Sequence, residues 1–268
     1  MKKKYTTQGV AISLIKAVLY FALWILAQFV VVNFVALVIS RKFPVSSSSE
    51  LTEMVEGMSL EINILVGALV VIVLAVFSML RKTTLSKDAC INKYPPQFTI
   101  TTIIMGVAVA YAIMLAFSLI QKTGILPDSW FQAQESAYSD VYSAGPFMQF
   151  ISVGFVAPVM EEILFRGFML GALKKEMHPW AAIIVSALFF SVAHGTPIGM
   201  IYTFFLGIIM AWLTIKFKSI VPSLLFHMAY NCAVAYSDGV SMGVAILSLL
   251  ILFFEFMSIN NYFRGKKE

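Results

Sequence analysis

Long apolar runs separated by short polar segments make up most of the chain. Runs of helical length fall at about 11–40, 60–80, 98–120, 147–173, 180–194, 198–215, 220–236 and 240–258. A helix needs roughly 20 apolar residues to cross the hydrocarbon core of a bilayer. The pattern therefore predicts an all-α, polytopic membrane helical bundle of about eight transmembrane helices. The first run is too long for the core of a signal peptide, and no small-residue cleavage site follows it, so it reads as a retained span. Two polar connectors, 43–57 and 125–146, are expected to be solvated links or short interfacial helices. No internal repeat and no soluble domain is evident. The natural division is a two-span accessory region, 1–97, and a six-span core, 98–268.

Composition agrees. The chain is 60% hydrophobic and 12% charged with a mean hydropathy of +0.87, which excludes an ordinary soluble domain. A net charge of +5 would suit a nucleic-acid binder if the basic residues shared one face, but they sit in clusters between the apolar runs. Lys2, Lys3, Lys4, Arg81, Lys82, Lys87, Lys93, Lys174, Lys175, Lys216, Lys218, Arg264, Lys266 and Lys267 fall on one side of the predicted membrane. Only Arg41, Lys42 and Lys122 fall in the connectors on the other side, which places both termini in the cytoplasm. The expected partner is membrane lipid, not nucleic acid. Cys90 and Cys232 have neither metal-ligand spacing nor an evident disulfide framework.

The run 147–173 contains an anomaly, Glu161, Glu162 and Arg166 in the stretch "MEEILFR". A charge at the bilayer centre costs about 3 kcal/mol even on a lenient scale, so these groups must be paired, hydrated or functional. On a helix Glu162 and Arg166 share a face, acid before base, while Glu161 points about 100° away. The spacing gives the two carboxylates different roles. Glu162 is neutralised by Arg166, and Glu161 is free to face a cavity as a candidate base. A buried packing cluster or an ion pathway would place charges in the same way.

His194 closes "FFSVAH", and His227 is followed four residues later by Asn231, on the same helical face. With a rise of about 1.5 Å per residue, these groups and Glu161 reach comparable depths on three helices. Pro158 and Pro222 loosen backbone hydrogen bonding near the key positions. His178, just before Pro179, reads as a turn residue.

Three motifs, "EEILFR" (161–166), "FSVAH" (190–194) and "HMAYN" (227–231), stand in this order within 147–236. Together they resemble the CAAX-prenyl-protease and bacteriocin-processing (CPBP, or Abi) family of intramembrane proteases. The resemblance implies a glutamic-type endopeptidase without a cofactor, acting on a membrane-associated peptide or protein in a bacterial plasma membrane. By motif position, Glu161 and His194 would hold the attacking water. His227 and Asn231 would polarise the scissile carbonyl, and Glu162, Arg166 and Phe190 would support the site. Peptide hydrolysis needs a base, a positioned water and donors aimed at the oxyanion, and this set contains them.

Other chemistries fit less well. Zinc held by Glu161, His194 and His227 would leave an open position, but the His-Glu-x-x-His signature is absent. Cys232 points away from His227, Ser191 lacks a nucleophile elbow, and Asp238, in a loop, has no intramembrane aspartate partner. The family resemblance also implies a non-enzymatic alternative, a membrane adaptor that binds a regulatory protein as an immunity factor or sensor-kinase regulator.

Overall fold

The computed structural model describes residues 5–237, 239 and 241–265. Lys2, Lys3, Lys4, Asp238, Val240, Lys266 and Lys267 lie outside the described residues. The described residues form helices and no strand: α1 (Thr7–Lys42), α2 (Ser48–Glu56), α3 (Ser59–Leu80), α4 (Phe98–Thr123), α5 (Asp128–Ser143), α6 (Pro146–Glu176), α7 (Pro179–Val192), α8 (Pro197–Phe217), α9 (Val221–Ala235) and α10 (Met242–Arg264). Six of these, α1, α3, α4, α6, α8 and α10, are long and apolar enough to cross a membrane. The apolar helices α7 and α9 are shorter, 14 and 15 residues. The chain is a multi-pass helical membrane protein, and each predicted apolar run corresponds to one helix.

Local chemistry sets the helix ends. Thr6, Ser47, Thr196 and Ser241 each accept a hydrogen bond from a backbone N–H in the first turn. Pro146, Pro179, Pro197 and Pro222 stand in first turns, where a missing N–H costs nothing. Gly195, at φ 70°, makes the left-handed turn that separates α7 from α8.

Both polar connectors fold into helices. In α2, Leu51, Met54 and Val55 pack against the core, while α5 is amphipathic and lies across the cavity described below.

Small residues let the helices approach closely, as is usual inside membranes. A Cβ on Gly207 of α8 would lie 2.9 Å from the Ala187 Cα of α7, and one on Gly106 of α4 would collide with the Phe226 carbonyl of α9. The leading helix is part of the same core. Tyr20 and Phe21 of α1 meet Phe168 of α6 and Phe189 of α7 at ring-centroid distances of 5.6 and 5.4 Å. Conversely, Leu19, Phe29 and Phe34 of α1 and Leu249, Phe253 and Phe254 of α10 are exposed, as lipid-facing surfaces require.

Candidate active site

Helix α6 is irregular where the site lies. It widens into π-turns over Phe150–Val156 and Glu162–Met169, separated by one α-helical stretch, Ala157–Glu161. The Ala157 N–H bonds to the Ser152 carbonyl, five residues back. The next donor in that register would be residue 158, a proline with no N–H. The Val153 carbonyl is left for another donor, and the Asn231 side-chain amide of α9 supplies it at 2.8 Å. Only the NH2 end of an amide can pair with a carbonyl, so this contact fixes the orientation of Asn231.

The charges of α6 form a graded cluster. Arg166 Nη1 lies 3.4 Å from Glu162 Oε1, and both side chains are fully buried. The guanidinium carbon lies 4.0 Å from the centroid of the Phe190 ring, which gives the cation an aromatic face as a second partner. The predicted pairing of Glu162 with Arg166 is therefore present.

His227 enters from α9 between the two carboxylates. Its Nδ1 is 3.2 Å from Glu162 Oε1, and its Nε2 is 3.5 Å from Glu161 Oε2. Glu161 is the most accessible of the four, 19% exposed against 4% for His227 and none for Glu162 and Arg166. The split between a buried, paired carboxylate and a cavity-facing one thus appears in the structure. The direct contact of Glu161 is with His227.

His194 follows the end of α7. Its Nδ1 lies 2.9 Å from the Phe190 carbonyl, which can only accept, so Nδ1 carries the proton and Nε2 has its lone pair available. The Phe190 ring stands edge-on to His194 and His227 at 4.7 and 5.8 Å. Phe190 thereby touches Arg166 and both histidines. Ser191 Oγ donates to the Met200 carbonyl at 2.6 Å and is engaged in joining α7 to α8. His178 caps α7, where its Nδ1 accepts from the Trp180 N–H at 3.3 Å.

Glu161, Phe190, His194, His227 and Asn231 line one cavity of about 540 Å³, within the size range of small-molecule and peptide pockets. Among the described residues, no group of three His, Cys, Asp or Glu side chains is placed to hold a metal ion. The cavity also contains residues that the sequence did not mark. From α5, Phe131, Gln134 and Tyr138 face it, and Gln134 Nε2 donates to the Tyr202 hydroxyl at 3.4 Å while Gln134 Oε1 accepts from Thr196 Oγ1. The available signal was the three- and four-residue spacing of Phe131, Gln134, Tyr138 and Val141 within a polar segment.

The family model described as type II CAAX prenyl endopeptidase Rce1-like matches residues 143–233. This segment is similar to that family and contains Glu161, Glu162, Arg166, Phe190, His194, His227 and Asn231. Among curated proteins, the Bacillus subtilis (strain 168) protein named "Putative membrane peptidase YdiL" is 30% identical over 95 residues. That match covers 35% of this chain and 38% of the relative. No solved structure matches the chain.

Proposed function

We propose that the protein is an intramembrane endopeptidase that hydrolyses a peptide bond of a membrane-associated peptide or protein in a bacterial plasma membrane. The observation that carries this reading is the placement of Glu161. It is the accessible carboxylate of a buried charged cluster and shares a cavity with a histidine whose Nε2 lone pair is available. The names of the matching family and of the Bacillus relative support the same chemistry.

In this reading a water molecule bridges Glu161 and His194 Nε2. Glu161 removes its proton as the oxygen adds to the scissile carbonyl carbon. His227, acting as an imidazolium that donates through Nδ1 to Glu162 and through Nε2 to the substrate, and the second N–H of Asn231, whose first is engaged by Val153, stabilise the developing oxyanion. A carbonyl oxygen entering beside His227 takes the place of Glu161 at Nε2. Collapse of the tetrahedral intermediate breaks the C–N bond, and the proton held by Glu161 passes to the leaving amine. Arg166 and Phe190 act through Glu162 and the two histidines, and no cofactor takes part.

The test compares Glu161→Gln, His194→Ala and His227→Ala with the parent at equal membrane abundance, reading both peptide processing and cellular phenotype. Each change should lower the cleavage rate by about 10²–10⁴, the usual contribution of a positioned acid–base group. A phenotype that survives all three changes would replace this reading with that of a non-catalytic membrane adaptor.

A further inference from the structure

A second cavity, of about 530 Å³, lies between α1, α2 and α3. On α1 it is lined by Trp24, Gln28, Val32 and Ala36, each four residues from the next and hence one stripe of the helix. Thr52 and Glu56 of α2 and Ser59 and Asn63 of α3 add polar groups to a wall that is otherwise apolar. Trp24, Ser59, Asn63 and Glu161 line both this groove and the cavity that holds the histidines. Glu161 therefore stands where the two spaces meet.

We propose that the groove is a substrate subsite that holds an extended peptide segment on one side of the scissile bond, while the histidine-lined cavity holds the other side. The proposal rests on the endopeptidase reading, because cleavage within a chain requires room on both sides of the reacting carbonyl. The mixed lining identifies the occupant. An acyl chain needs only an apolar wall and would leave Gln28 and Ser59 unused, whereas Thr52 and Asn63 already donate to the Ser48 carbonyl and Ser152 Oγ and keep acceptor sites for a peptide N–H. A peptide backbone taken out of water needs such groups, since each unpaired amide at membrane depth costs several kcal/mol. The helices α1, α2 and α3 lie outside the Rce1-like segment, so this subsite belongs to the leading part of the chain.

Single cysteines test the proposal in a Glu161→Gln background with Cys90→Ser and Cys232→Ala. Ala36→Cys and Thr52→Cys report on the groove, and Phe29→Cys reports on the exposed outer face of α1. The probe is a randomised decapeptide library added to the detergent-solubilised protein, with oleate in a parallel arm, and the readout is the rate of maleimide labelling. The library should slow labelling at positions 36 and 52 at least fivefold and leave position 29 unchanged, and oleate should protect neither groove position. Ala36→Trp, which fills the groove, should abolish the protection at position 52. No protection, or equal protection by oleate, overturns the proposal. Cleavage of the same library by the parent protein separates the two readings. Cutting without groove protection removes the subsite alone, whereas protection without cutting removes the protease reading and with it the subsite, leaving a groove that binds peptide without cleaving it.

Discussion

Arg166→Ala removes the permanent cation from a cluster in which Glu162 is fully buried, and so leaves that carboxylate to the titratable imidazole of His227 inside a membrane protein. Breaking a buried ion pair in this way costs about 3–5 kcal/mol, far more than the net worth of the pair, because the remaining charge is stranded. The Phe190 ring also loses a cation at 4.0 Å from its centroid. For a chain of this size each kcal/mol lowers the melting temperature by roughly 2–4 °C, so purified Arg166→Ala should melt about 10 °C below the parent. Thermal unfolding in detergent, followed by intrinsic fluorescence, measures the difference. Activity should fall as well, because Glu162 positions His227 through Nδ1. A double variant, Arg166→Met with Glu162→Leu, separates the two effects. It strands no charge, so it should melt closer to the parent than Arg166→Ala, yet it should remain inactive because His227 has lost its anchor. A well-folded Arg166→Ala protein with a melting temperature within about 2 °C of the parent would show that Glu162 does not depend on Arg166 for its stability.

Three further results are expected. Asn231→Leu orphans the Val153 carbonyl and should destabilise the protein by about 1–3 kcal/mol with loss of cleavage. Pro158→Ala restores a backbone donor that competes for the same carbonyl, so it should lower cleavage about tenfold without loss of stability, a difference on the scale of 1.4 kcal/mol in the transition state. Parent-like turnover by Pro158→Ala would sink the idea that the missing N–H orients Asn231. Chelation followed by metal analysis should leave cleavage intact with metal well below stoichiometric. Stoichiometric zinc whose removal abolishes cleavage would instead make Glu161, His194 and His227 ligands.

The parts of this molecule that could be read from sequence are those set by short-range spacing. Glu162 and Arg166 pair across one helical turn, and that contact needs no knowledge of the fold. The apolar runs gave the helices because length and composition alone decide whether a segment can cross a bilayer. The position of His227 between both carboxylates could not be read, because α9 must first be packed against α6 and also against α4, where Gly106 makes room for the Phe226 carbonyl. The π-turns of α6 were hidden for a related reason. Pro158 explains a vacant register, but only the Asn231 amide, arriving from another helix, gives the Val153 carbonyl a partner and makes the distortion tolerable. The polar connector 125–146 left a short helix open, but its polar composition hid that α5 lines the cavity and that its Gln134 bonds to Thr196 and Tyr202. Burial separates the two glutamates further. Adjacent glutamates are equivalent in composition and differ only in angle, and the packing of α9 turns that angle into a difference in burial. Glu162 takes the buried side with Arg166 and His227, and Glu161 keeps the accessible side, where two cavities meet.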